Sequence, residues 1–226
     1  MQVLLANKFF FEKGGAEKSL FETAQLLQEQ GHQTRFFAMQ HFRNRPSQDA
    51  RHFVSEVDYD DPGWAMKLKS AGRMLYSLEA ARKLGGLLDE HHIDVAHLNN
   101  IYHQISPSIL RTLHRRGIPM VMSLRDYKVV CGSYQMLVDG QPCEACRGGR
   151  YEQAALRRCV KGSRAASVLT TVEMFLHHRV LKLYDLVDVF IAPSAFLRDK
   201  VREMGFTGRV VHLPNFVSGI EQVVPR

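Results

Sequence analysis

Short apolar runs alternate with helical patterns along nearly the whole chain, and no other feature restricts its fold so much. Six runs read as strands: residues 1–6, 32–39, 93–98, 118–124, 187–192 and 209–213. They are short and rich in Val, Ile, Leu and Phe, as strands covered on both faces are. Residues 16–30 carry Leu20, Ala24 and Leu27 at helical spacing and end at Gly31. After a loop over residues 40–63, one long helix is expected, with Leu68, Ala71, Leu75 and Leu78 on a single face. Ser106 reads as an N-cap, Pro107 as a first-turn residue, and Gly117 as the end of that helix. Residues 164–183 align Leu169, Val172, Leu176, Val180 and Leu183, and Ser194 caps a last helix that stops near Gly205. Such alternation builds an α/β fold: a parallel sheet with helices on both faces.

In open sheets of this kind, ligands sit beyond the carboxyl ends of the strands. The informative loops are therefore "NKFFFEKGG", "NNIYHQIS", "RDYKVVC", "PSAF" and "PNF", which all fall at one rim. Gly14 and Gly15 open the first helix. A helix start offers unpaired N–H groups and a partial positive charge, and glycine admits a phosphate or carboxylate without a Cβ in the way. A tight turn into the helix explains the pair equally well. Neither G-x-G-x-x-G nor Gly-Lys-Ser/Thr is present, which weighs against a dinucleotide-dependent oxidoreductase and a P-loop. His97, Asn99, Asn100 and His103 follow the third strand, and Arg125, Asp126, Tyr127 and Lys128 follow the fourth. Amides, imidazoles and fixed charges are what a polyhydroxylated, phosphorylated ligand requires. Plain structural roles stand beside this reading: a strand-end histidine for His97, turn residues for Asn99 and Asn100, a turn cap for Asp126.

The 226 residues suffice for one large α/β domain or two small ones. With 45% apolar and 23% charged residues, disorder is not the expected state. A net charge of +7 favours anionic partners. No recognised nucleic-acid motif accompanies it, so no nucleic acid is expected as partner. The N-terminus lacks signal-peptide features and no run approaches ~18 apolar residues, so a cytoplasmic location is expected. Residues 64–84 interleave an apolar stripe with Lys67, Lys69, Arg73, Arg82 and Lys83, behind Trp64. The pattern suits peripheral contact with an anionic membrane at its inner face, or an ordinary helix packed on the sheet with a solvated basic face. "DYDD", residues 58–61, imitates an Asp-x-Asp metal motif but reads as a solvated acidic turn before Pro62.

All four cysteines lie between Cys131 and Cys159, spaced C-x11-C-x2-C-x12-C around Cys143 and Cys146. A central C-x2-C with flanking cysteines resembles a tetrahedral zinc site, and four thiolates would close a structural site with no open position. Two disulfides or buried free thiols are the alternatives. Residues 131–162 lack apolar periodicity and read as an irregular, Cys-containing insert. A metal here would be structural, and no cofactor is expected for catalysis.

"KGGAEKS", "DVAHLNNIYHQISPSIL", "LRDYKVVCGSYQM", "CEAC", "RCVKGS", "APSAFL" and "LPNFV" occur in that order. Together they resemble the N-terminal domain of the retaining glycosyltransferases of family 4, which have the GT-B fold. The resemblance covers nearly the whole chain. It implies a Rossmann-like acceptor-binding domain over residues 1–216, with 217–226 starting the linker to a C-terminal donor domain that this chain lacks. It implies transfer of a sugar from a nucleotide-sugar donor to a glycan or lipid-linked acceptor in cell-envelope polysaccharide biosynthesis, with little activity until the donor domain is supplied. Gly14 and Gly15 are then expected beside the donor phosphates. His97, Asn99, Asn100, His103, Tyr127, Lys128, Ser194 and Asn215 are expected around donor phosphate and acceptor, with Arg125 and Asp126 at the catalytic position. Where the family pattern usually reads His-Asp-Tyr-Lys, this chain has "RDYK". A guanidinium, with a pKa above ~12, cannot accept a proton, but it can bind an anion. In a front-face retaining reaction the leaving phosphate itself can take the acceptor proton. A non-catalytic carbohydrate- or anion-binding module of the same fold is the alternative.

Overall fold

The structure is a computed structural model. It describes residues 1–57 and 64–216, with backbone alone for 64–69. The acidic turn expected at 58–61 and the linker at 217–226 lie outside the described residues.

Six strands form one parallel sheet: β1 (Gln2–Ala6), β2 (Gln33–Phe37), β3 (Val95–Leu98), β4 (Met120–Ser123), β7 (Val189–Ala192) and β8 (Val210–His212). Their order is β2-β1-β3-β4-β7-β8. A separate two-stranded hairpin pairs β5 (Leu137–Val138) with β6 (Gln141–Pro142). The fold is therefore Rossmann-like α/β. Strand order reverses between β1 and β3, because the chain goes first to one side of β1 and then returns to the other. At such a switch the connections leave in opposite directions and open a crevice at the carboxyl ends.

Period-two alternation in β1 divides its side chains between two cores. Val3 and Leu5 meet Leu20 and Ala24 of α1 (Gly15–Glu29) on one face. Leu4 and Ala6 join the larger core on the other face. That core includes Leu84 and Leu87 of α3 (Leu78–Glu90), Ile109 and Leu113 of α4 (Ser108–Arg115), and Val201 of α7 (Ala195–Glu203). Truncating a fully buried Leu such as Leu84 to Ala costs about 2–5 kcal/mol.

Three local expectations are corrected. The single helix expected after Gly63 is two, α2 (Trp64–Leu75) and α3. Ser77 breaks it, its hydroxyl accepting from the Ala80 N–H at 3.1 Å as a new N-cap. Leu78 then starts a helix and is 77% exposed rather than in the stripe. Before α4 the cap position belongs to Pro107, and Ser106 precedes it at φ 81°. The third correction concerns α6 (Arg164–Phe175) and the π-helical turn Leu176–Val180. Val172 and Val180 of the expected apolar stripe are exposed, while Ser167, Thr170, Glu173 and His177 are buried. Polar partners in the interior explain this: Glu173 meets Lys128 Nζ at 2.6 Å, His177 lies 2.8 Å from the Leu75 carbonyl, and the neighbouring irregular segment supplies others. The Val160 N–H donates to Ser167 Oγ at 3.0 Å, and Thr171 Oγ1 donates to the Tyr151 carbonyl at 3.1 Å.

Of the basic residues noted between 64 and 84, three have described side chains. Arg73 is buried, bonded to the Ser55 carbonyl at 2.5 Å and ion-paired with Glu79. Lys83 donates to the Phe53 carbonyl, and Arg82 is exposed. Among the described residues no helix is long and apolar enough to cross a membrane.

Candidate functional site

The crevice is built from the loops leaving β1 and β3, which are stitched together by their backbones. The Asn99 N–H donates to the Ala6 carbonyl at 2.8 Å, and the Lys8 N–H to the Asn100 carbonyl at 3.2 Å. Asn7, buried at the end of β1, donates through Nδ2 to the Phe9 carbonyl at 2.8 Å and to Glu17 Oε1 at 3.1 Å. Glu17 is thereby held, buried, under the first turn of α1.

Gly14 is the N-cap of α1 and brings no side-chain bond to the helix start. Its φ of −167° is extended backbone open to any residue. A Cβ on Gly15 would meet no protein atom within 4 Å, and one on Gly14 only Glu17 Oε2 at 3.8 Å. The protein itself therefore does not demand glycine here. No side chain of the N-cap residue bonds the first N–H groups of α1, where the helix dipole favours an anion.

Arg125, just past β4, ties this helix to three other loops. Its Nη2 donates to Ser19 Oγ on α1 at 2.8 Å and to Asn99 Oδ1 at 3.1 Å. Nε also donates to Asn99 Oδ1, at 3.2 Å, and Nη1 to Asn215 Oδ1 beyond β8 at 2.9 Å. The acceptors are neutral, so the guanidinium keeps its charge uncompensated by direct ion pairing. Asn99 is buried, and its Nδ2 has no hydrogen-bond partner among the described residues. An orphan buried donor beside a cation is a place for an acceptor oxygen. His97 turns to Ser123 Oγ at 2.8 Å; burial, then Arg125, pushes it down to about 4, so it is neutral at pH 7.

Asp126 accepts the Lys128 N–H at 2.8 Å, the turn-capping bond, yet its carboxyl is also a chemical group of the site. Burial raises its pKa against the opposing pull of that N–H, Lys128, Lys8 and His103. Lys8 is lowered, by burial first, with Glu17 and Asp126 opposing. Lys8, Glu17, Arg125 and Asp126 thus act on one another around one crevice. Lys8, Asn7, Glu17 and Ser19 were not singled out from the sequence. Their signal was position alone, since the first two end β1 and the others open α1.

Other expected residues commit their polar groups elsewhere. The Lys128 ammonium is buried in the interior, 2.6 Å from Glu173 Oε2. His103, at φ 55°, approaches Glu173 Oε1 at 3.4 Å. Tyr127 packs part-buried against the main core. Ser194 spends its hydroxyl capping α7 through the Leu197 N–H at 3.1 Å. The four cysteines are free, and all of them line a different cavity. Among the described residues no group of three or more His, Cys, Asp or Glu side chains stands ready to hold a metal ion.

An open parallel sheet whose switch point gathers charged and hydrogen-bonding side chains defines an α/β domain of Rossmann type. Comparison makes this specific, because the sequence profile of Glycosyltransferase Family 4 matches residues 13–218. The chain belongs to that family. No curated protein sequence matches the chain. Three solved structures are similar to it in part. An α-glucosyltransferase in complex with UDP and a mismatched DNA is 12% identical with a TM-score of 0.39, over 86% of this chain and 37% of its own. A UGT transferase from Siraitia grosvenorii, in complex with UDP, is 9% identical with a TM-score of 0.46, over 93% and 50%. MurG of Acinetobacter baumannii is 14% identical with a TM-score of 0.35, over 96% and 80%. The chain therefore spans half or less of the length of the first two.

Proposed function

We propose that this chain is the acceptor-side domain of a retaining glycosyltransferase, which moves a sugar from a nucleotide-sugar donor to a glycan or lipid-linked acceptor. Arg125 carries the reading: one guanidinium joins α1, Asn99 and Asn215 at an uncapped helix start, hydrogen-bonded to neutral acceptors, with the Glu17 carboxylate acting on it only through space. A pyrophosphate between Gly14–Gly15 and Arg125 would find N–H donors, a dipole and a cation together. As the sugar leaves, charge grows on the departing phosphate, and a preorganised cation beside it stabilises that charge. Asp126, raised by burial, accepts a hydrogen bond from the incoming hydroxyl and orients it; the departing phosphate takes the proton. A donor domain from outside these 226 residues closes the opposite wall. Sugar nucleotides place the reaction in the cytoplasm, and a lipid-linked acceptor places it at the inner membrane face.

The presence of Arg125 where the family usually has His favours one other reading, a binding module of the same fold without catalysis. A panel of UDP- and GDP-sugars, offered to the chain alone and to the chain joined to a family donor domain, separates the two. Turnover with retained anomeric configuration in the joined protein supports the enzyme, and Arg125→His shows whether the Arg is required. UDP binding without turnover in every combination supports the module.

A further inference from the structure

The four cysteines come from separate turns yet line one void of about 10 Å³, the space of roughly one water-sized sphere. Cys131 arrives from the turn after β4, Cys143 and Cys146 from beyond the β5–β6 hairpin, and Cys159 from the turn after α5 (Glu152–Leu156). Cys131 and Cys146 are buried, and Cys143 and Cys159 are partly so. Met136, Ala154 and Met204 supply apolar wall, and Arg125 and Asp126 do not border the void.

The surrounding backbone has little regular structure of its own. Its strands are two residues long and α5 has five residues. Five of the eight non-glycine residues with positive φ among the described residues lie here: Tyr134, Met136, Asp139, Arg158 and Lys161. Left-handed backbone costs roughly 1–2 kcal/mol at an ordinary residue, so this segment carries a concentrated penalty. Met136, Cys131 and Cys146 offset part of it by packing into the main core, and a bound ion would offset more.

We infer that Cys131, Cys143, Cys146 and Cys159 form a structural tetrathiolate site for one divalent cation of the zinc class. The thiols surround a shared void without yet converging at metal-holding geometry, so the site completes itself as the side chains turn onto the ion. Each thiol gives its proton to solvent as its sulfur–metal bond forms, leaving a complex of net charge −2. Soft sulfur ligands select zinc over magnesium or calcium, and four of them leave no position open for substrate. The ion therefore staples the segment that carries Tyr127 and Lys128 toward α6; it takes no part in sugar transfer.

The test uses the full chain purified under reducing conditions and reconstituted with zinc chloride alone. Metal analysis is expected to give one zinc per chain, and chelation to lower the melting temperature and release four titratable thiols. Replacement by cobalt(II) is expected to give thiolate-to-cobalt charge transfer and the visible bands of a tetrahedral ion. Cys143→Ser and Cys159→Ser are expected to lose that charge-transfer signal in part or entirely; should they fail to fold, the wild-type cobalt spectrum decides. Four free thiols with no bound metal after reconstitution would overturn the inference. So would two disulfides in the reduced-buffer preparation, or an octahedral cobalt spectrum.

Discussion

Two charged clusters lie within three residues of each other in sequence and behave as opposites. Lys128 and Glu173 are buried at 1% and 0% side-chain exposure, 2.6 Å apart, with His103 and His177 beside them. Arg125 and Asp126 sit at the rim, where Arg125 meets neutral acceptors alone and Asp126 is held by one backbone bond. In the interior, each charge has a partner of opposite sign. Burial pushes the Glu173 carboxyl up, but Lys128, His103 and His177 outweigh it and hold it well below the usual carboxylate range. The comparison teaches that burial alone does not mark a functional charge. On the proposed reading, the functional charge is the one that the protein positions without a direct ion pair.

The comparison breaks most visibly at Glu173. Glu173→Gln leaves the Lys128 ammonium in the interior without its counter-charge, and is expected to lose about 3–5 kcal/mol of stability in denaturant unfolding. Glu173→Leu combined with Lys128→Met should recover most of that loss, because removing both charges removes the desolvation problem. A loss below about 1 kcal/mol in the single variant would show that the pair is not a buried ion pair in solution. Arg125→Ala inverts the pattern. Charged hydrogen bonds contribute about 1.5–3 kcal/mol, so UDP or pyrophosphate binding should weaken about 10–100-fold, beyond the stability lost with the bonds to Ser19, Asn99 and Asn215. Calorimetric titration measures the first and thermal unfolding the second. Unfolding without loss of binding would mean that Arg125 merely braces the loops.

Acid separates the clusters in a third way. His97 is held down to about 4, and His178, by burial first, to about 3, against 6.5 in an unfolded chain. The unfolded state therefore binds more protons below pH 6.5, and stability falls as pH drops through that value toward 4. Glu173 adds its own loss below about 4.5, as the unfolded carboxylate protonates before the folded one. Each histidine contributes a slope of at most about 1.4 kcal/mol per pH unit. His97→Gln should flatten the stability–pH profile between 6.5 and 4; an unchanged profile would show that this imidazole titrates normally.

How much of this was legible in the sequence depends on which force fixed each element. Six strands and the rim carrying Asn99, Arg125 and Asn215 follow from apolar runs and from the rule that ligands lie beyond strand ends. Lys128 and Arg125 belong to the same "RDYK" quartet and were read together. Nothing local says that one side chain turns inward and the other outward, because Glu173 is 45 residues away from Lys128. The break at Ser77 was readable in principle, since Ser followed by a helix former is a capping signal that the apolar stripe outweighed. The inverted face of α6 was not readable. Helical periodicity assumes an apolar neighbour, and this helix meets polar partners inside, among them Lys128 and the Val160 N–H.

Gly15→Ala sharpens the comparison by the smallest margin and with opposite signs in its two readouts. At Gly15 the added methyl meets no protein atom within 4 Å, and the residue is helical, so nothing in the fold resists it. Alanine loses less backbone entropy than glycine on entering a helix, which stabilises by about 0.5 kcal/mol. If the space above α1 holds a phosphate, the same methyl intrudes on it and binding falls a few-fold. A substitution that strengthens the fold and weakens the ligand separates a residue kept for its site from one kept for its structure. Raised stability with unchanged UDP affinity would instead leave Arg125 as a cation without a helix start to share its anion.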